Sequence, residues 1–284
     1  MVALIFLVTG CGRLQFFSSG ESALQQAKDK KSVVIGFANE KPYAYQENGK
    51  VTGEAVEIAK KIFKKQGITN IKPVLADFGS LIPGLKAGRF DVITAGMYIT
   101  PERCKQVTFA NPEYNIGEGL AVQKGNPKNI HSYEDIAKKP DSTIAVMKGA
   151  IEESYMKDVG VKKSQITIVP DQPTAVSLLD SGRVDGVTMT GPSLLAILKS
   201  ANAKNVSVVK DFKQPIIDGK EVRGIGAAAF RPEDKDFVKI YNKGLAELKK
   251  SNELYETIHP FGFTKADLPG DEKATEICKQ PQPK

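Results

Sequence analysis

From Ser32 onward, short apolar runs rich in Val and Ile alternate with stretches in which apolar residues recur every three or four positions. The runs have the character of strands buried on both faces and the longer stretches that of amphipathic helices, so the alternation predicts βα units and mainly parallel sheets. Ser32 to Phe37 reads as the opening strand. Glu54 to Gln66 reads as a helix, with Ala55, Ile58, Ala59, Ile62 and Phe63 along one side and Gly67 as its stop.

One unit occurs twice. LKAGRFDVITAGM (residues 85–97) and LDSGRVDGVTMTG (residues 179–191) each give a helix end, a Gly-Arg-x-Asp turn and an apolar strand. Gly88 and Gly182 stand where a chain leaves a helix through the left-handed region. Two such units imply two α/β lobes, each a mainly parallel sheet flanked by helices. Asn111 to Gly125 and Gly224 to Phe230 are extended and rich in small residues, and are the expected crossings. Lobe one is then 31–115 and 226–270, lobe two is 116–225, and two crossings make a hinge. Residues 271–284, ending in Gln-Pro-Gln-Pro-Lys, are expected as a loosely held tail apart from whatever Cys278 contacts.

The first ten residues, MVALIFLVTG, are apolar but far short of the about 20 needed to span a bilayer. They read as the tail of a secretory signal, and Val8-Thr9-Gly10-Cys11 fits the pattern that precedes a lipid-bearing cysteine. The expectation is a signal over 1–10, lipid on Cys11, a tether over 11–30 and an extracytoplasmic, membrane-anchored chain. Cys104 and Cys278 remain. In an oxidising compartment they either pair or stay as two buried thiols, and sequence alone gives no distance between them.

Composition narrows the function classes. With 41% hydrophobic and 26% charged residues the chain has material for two modest cores. The net charge of +7 is spread among acidic residues, with no arginine-rich stripe, so no nucleic-acid partner is expected. His131 and His259 lie far apart without metal-ligand spacing, and no phosphate loop or nucleophile elbow occurs. Neither metal, cofactor nor catalytic set is expected, and the chain reads as a monomer.

The most informative segment is GMYITPERC (residues 96–104). Thr100-Pro101 places a capping residue and a first-turn proline where a helix starts, and free backbone N–H groups there attract anions. Arg103, at the third helical position, can grip a carboxylate through two parallel hydrogen bonds. Tyr98 ends the preceding strand and Glu40 follows the first one, at the edge where parallel sheets expose ligand sites.

The run Ala95 to Phe109 with Asn111-Pro112-x-Tyr114 resembles the polar amino-acid-binding family, whose arginine in this segment holds a carboxylate. GFANEKPYAY (36–45), FGSLIPGLKAGRFD (78–91), GMYITPERCKQ (96–106), NPEYNIGEGLAV (111–122) and GNPKNIHSYED (125–135) resemble the ectoine/hydroxyectoine-binding proteins more closely still. The likeness spans nearly all of the chain after the leader. It implies a two-lobe periplasmic-binding-protein-like (type II) fold and a role in capturing a small zwitterion for the permease and ATPase of an ABC importer. It also implies a ligand set. Arg103 with Thr100 would hold the carboxylate, Tyr43, Phe78 and Tyr98 would box a cationic ring, and Glu40 would meet its N–H groups. From lobe two, the wider family implies backbone N–H groups at Gly149 and a contact from Thr190; Glu152 and Glu118 are the alternatives, while Asp185 reads as structural. Two other readings stay open: a polar amino-acid-binding protein, and a cyclohexadienyl-dehydratase-like enzyme with Glu40 as its acid.

Overall fold

The computed structural model describes residues 21–217 and 219–280. The leader and Cys11 lie outside them.

The first sheet begins with β1 (Ser32–Phe37), the strand expected from the sequence, followed by β2 (Asn70–Leu75), β3 (Val92–Ile93) and β4 (Thr108–Phe109). The chain then runs through β5 (Tyr114–Ile116) into a second sheet made of β6 (Glu118–Gln123), β7 (Ile144–Met147), β8 (Ile166–Val169), β9 (Gly186–Thr190) and β10 (Val206–Val208). It returns along β11 (Gly224–Gly226) and adds β12 (Ala229–Phe230) to the first sheet. The sheet orders are β2-β1-β3-β12-β4 and β8-β7-β9-β6-β10. In each, three neighbouring strands are parallel, and the strand attached to a crossing runs against its neighbours. The fold is therefore the mixed α/β two-lobe architecture expected.

The inner parallel strands β1, β3 and β7 are largely buried and mostly apolar, as strands covered on both faces are, whereas the edge strands β2 and β8 carry Asn70, Lys72 and Thr167 and leave Leu75 and Ile168 exposed. In lobe one, Val33, Ile35 and Phe37 pack beneath the helices Glu54–Lys65, Lys235–Lys250 and Glu253–Ile258, while Ile93 and Ala229 face Leu81, Leu85 and Phe90 on the other side. The helix Glu54–Lys65 buries Ala55, Ile58, Ala59, Ile62 and Phe63, the stripe read from its period. Gly88 and Gly182, at φ +70° and +73°, take the left-handed turns that lead into β3 and β9. Asp185, in the second of these turns, accepts from the Thr143 backbone N–H and pairs with Lys128, a structural role.

Two ends differ from expectation. Part of the stretch read as a tether is a helix, Ala23–Asp29, capped by Ser22 and seated on lobe one through Leu24 and Ala27. Beyond Gly270, where a loose tail was expected, the helix Ala274–Ile277 buries Ala274 and Ile277 in lobe one. Cys278 then closes a disulfide with Cys104, with 5.7 Å between the Cα atoms. That bond ties the last described helix to the short helix Pro101–Cys104.

Between the lobes, β5 and β11 form an antiparallel ribbon in which Tyr114 lies opposite Gly226 and Ile116 opposite Gly224. Here glycine is dictated by close approach. A Cβ on Gly226 would fall 2.0 Å from the Tyr114 ring, and one on Gly224 would fall 1.8 Å from the Tyr98 ring. Replacing Gly226→Ala should therefore lower stability by about 1–3 kcal/mol, the usual cost of overpacking. Chemical denaturation checks this: a midpoint equal to that of the wild type would mean that the ribbon has slack which the close ring contact denies.

Candidate functional site

A crevice whose space, counting the part open to solvent, is about 370 Å³ lies between the carboxyl ends of the two parallel sets of strands. Lobe one lines it with Glu40, Phe78, Tyr98 and Arg103; lobe two lines it with Met147, Glu152, Gln172 and Thr190 among others. These residues come from strand ends and from the loops or first helical turns that follow. That is where a parallel sheet leaves side chains free to converge.

Arg103 is the one cation among the described residues that line the cavity. Its helix is only four residues long and starts as its sequence requires: Thr100 is extended and accepts from the Arg103 backbone N–H, and Pro101 occupies the first turn. The guanidinium turns back to donate to the Tyr98 carbonyl at 2.8 Å and across the crevice to the Gly149 carbonyl at 3.0 Å. Its plane carbon lies 5.6 Å from the centre of the Phe78 ring. A fork held from two directions over an aromatic face is pre-organised for a planar anion.

Opposite this cation are acids. Glu40 is buried, and its Oε1 accepts from the Gln172 amide, with Ser193 Oγ 3.1 Å away. Burial pushes the Glu40 carboxyl up to about 8, helped by the charge of Glu152 and opposed by these two hydrogen bonds and by Arg103. Glu152 and Glu118 are also buried, and burial raises both, Glu118 well above the usual carboxylate range. Burial lowers Arg103 below its ordinary value, but a guanidinium keeps its charge in proteins. The crevice thus offers one fixed positive charge and several carboxyls that resist ionising together.

Glu40, Phe78, Tyr98, Arg103 and Thr190 meet at this cavity as the sequence suggested. The other three candidates sit elsewhere. Tyr43 is one layer behind: its ring packs on Tyr114 and Phe263, and its hydroxyl donates to Thr190 Oγ1 at 2.7 Å. It is a strut between lobes, and the expected three-ring box has two rings at the cavity. Thr100 acts as a helix cap and does not line the cavity. Gly149 does not line the cavity, and its carbonyl accepts from Arg103.

Sequence reasoning missed Gln172 and Ser193, which grip Glu40 from lobe two while Ser193 also donates to the Lys41 carbonyl at 2.8 Å. Both lie at the start of helices that follow lobe-two strands, in Asp171-Gln172-Pro173 and Gly191-Pro192-Ser193. Those proline-marked helix starts were the available signal. Among the described residues no group of three or more His, Cys, Asp or Glu side chains is arranged to hold a metal.

Residues 33–263 match the model of the bacterial extracellular solute-binding proteins, family 3. The chain belongs to that family. It is 36% identical over 265 residues to a probable amino-acid ABC transporter periplasmic-binding protein, y4tE, of Sinorhizobium fredii, covering 92% of this chain and 87% of that protein. It is 30% identical over 258 residues to the arginine-binding extracellular protein ArtP of Bacillus subtilis, covering 88% and 94%. Among solved structures, EhuB in complex with hydroxyectoine superposes with a TM-score of 0.82 at 33% identity, covering 90% of this chain and 97% of that one. This family member is accordingly a solute-binding protein of an ABC importer for amino-acid-type ligands. Its relatives are binding proteins of transporters and not enzymes. No helix among the described residues is long and apolar enough to cross a membrane.

The electrostatics give a stability prediction. A carboxyl raised to about 8 when folded, against an ordinary 4.5, binds more protons folded than unfolded between those values. Stability from Glu40 should therefore fall as pH rises through that window and level off above it. Thermal melts of the unliganded protein from pH 5 to 9 should fall less steeply for Glu40→Gln than for the wild type; parallel curves would show that the Glu40 charge is not confined as described.

Proposed function

We propose that this family member captures a small zwitterion, ectoine or hydroxyectoine, and presents it to the permease and ATPase of an importer, the mature chain being lipid-anchored through Cys11 outside the cytoplasm. The observation that carries this reading is the pairing, in one crevice, of a fixed guanidinium with buried acids and aromatic faces. A carboxylate suits Arg103, which would exchange its carbonyl partners for a charge-assisted pair. A delocalised amidinium suits Glu40 and the faces of Phe78 and Tyr98. The likeness to EhuB supports the same ligand class. The Val8-Thr9-Gly10-Cys11 pattern supports the anchor.

Lobe closure follows from the contacts. Arg103 with Gly149, Tyr43 with Thr190 and Glu40 with Gln172 each join one lobe to the other, so each can form only when the crevice is shut. Shutting it excludes water and strengthens the charge contacts inside.

A second reading has its own support. With Tyr43 behind the cavity and several acids around it, a polar amino acid bearing an ammonium or guanidinium would also find its charges matched. A thermal-shift screen with ectoine, hydroxyectoine, L-arginine and L-glutamine at equal concentration separates the two, because stabilisation grows with concentration over dissociation constant. The ectoines should give the largest shift; a larger shift with L-arginine would favour the amino-acid reading. In either case Arg103→Ala should weaken binding by about 2–5 kcal/mol, as when one partner of a buried charge pair is lost. Calorimetry showing wild-type affinity in that variant would remove Arg103 from the site.

A further inference from the structure

One guanidinium against three buried carboxyls is an uneven complement for a ligand that brings a carboxylate of its own. Glu40 is accounted for by Gln172 and Ser193. The other two lie against each other, with Tyr98 beside Glu118. Glu152 opens the helix Glu152–Asp158 and lines the cavity, at 3% exposure. Glu118, at 5% exposure, is the first residue of β6, opposite Thr190 in the register with β9. Neither oxygen of Glu118 completes an aligned hydrogen bond, and neither does Oε2 of Glu152.

The titratable groups facing the pair come from every element around it. Lobe one contributes Tyr43, Tyr98, Arg103 and Glu40, and lobe two contributes Tyr133 and Tyr155. Arg103 is the sole positive charge among these groups. Two neighbouring carboxylates in such surroundings cannot both ionise, so one keeps a proton that the two share.

We infer that Glu118 and Glu152 work as one acid pair that selects ligands by an N–H-bearing cation, with Glu152 presenting an acceptor to the cavity and Glu118 behind it as the positioning residue that holds the shared proton. The inference rests on the zwitterion reading above and narrows it. Carboxylates accept hydrogen bonds, so an amidinium, guanidinium or primary ammonium satisfies Glu152. A quaternary betaine carries the same charge without an N–H group and leaves that buried acceptor unmet. Approach of a cation also favours the ionised pair, so the shared proton leaves to solvent as the ligand enters. Affinity accordingly rises with pH until the unliganded pair has lost its proton.

Calorimetry tests this with ectoine, L-arginine and glycine betaine as probes, near pH 7, in two buffers of different ionisation heat. The proteins are the wild type, Glu152→Gln and Glu118→Gln, with melting curves confirming that the isosteric variants fold. Whichever of ectoine and L-arginine the wild type binds should release a proton, with glycine betaine bound at least tenfold more weakly. Glu152→Gln should weaken that binding at least tenfold, and Glu118→Gln should reduce the number of protons released. Wild-type affinity in Glu152→Gln, an unchanged proton count in Glu118→Gln, or glycine betaine binding as tightly as the better probe would each overturn the acid pair while leaving the zwitterion reading intact. A wild type that binds neither ectoine nor L-arginine would overturn that reading, and the pair's role with it.

Discussion

Bringing Arg103 together with the buried carboxyls of Glu40 and Glu152 at one crevice, with Glu118 buried behind them, sets a balance that each of the surrounding features serves. Charges are costly in such a place unless they are paired. The two carbonyls on the guanidinium, the amide and hydroxyl on Glu40 and the upward shift of the carboxyls are all local answers to that cost. They are provisional ones, because carbonyls and shared protons are weaker partners for ions than ions of opposite sign. An amino-acid-type solute brings ions of its own to this arrangement, which lies between the fold's two halves.

How much of this could be read from residues alone depends on how local each signal is. β1 and the helix Glu54–Lys65 were legible because burial on both faces of a strand, or along one stripe of a helix, leaves a periodic trace. Arg103, Tyr98 and Glu40 were legible because each stands in the stretch that follows a parallel strand, Arg103 in the short helix Pro101–Cys104 and Tyr98 five residues past Ile93. Thr100 and Pro101 announced the helix start correctly, but the same capping role that makes Thr100 visible keeps its side chain occupied away from the cavity. The lobe-two partners of Glu40 were not legible. Gln172 and Ser193 act on Glu40 over long separations in sequence, and nothing near either residue encodes which acid it will meet.

Tyr43 and the chain ends were misjudged for related reasons. An aromatic residue beside a proline in a loop has the same local sequence whether its ring faces a cavity or the core, and here Tyr114 and Phe263 decide the matter from distant segments. Ala23–Asp29 and Ala274–Ile277 each bury only two side chains, so their polar composition hides the anchoring. For the second of these helices the disulfide does what a wider apolar face would otherwise do, and it does so one residue from Arg103.

The crossing ribbon carries a consequence for how such a protein can diverge. The rings of Tyr98 and Tyr114 fill the volume that side chains at Gly224 and Gly226 would need, so the bend between halves and the wall of the recognition chamber share the same few cubic ångströms. A lineage that trades Tyr98 for a smaller residue, to admit a bulkier nutrient, would also loosen the pivot. One that stiffens the pivot must reshape the chamber. Specificity and mechanical travel are therefore inherited together, and even the lobe-two helix start at Gly191 is tied to the crossing, its backbone N–H donating to the Gly117 carbonyl at 2.9 Å.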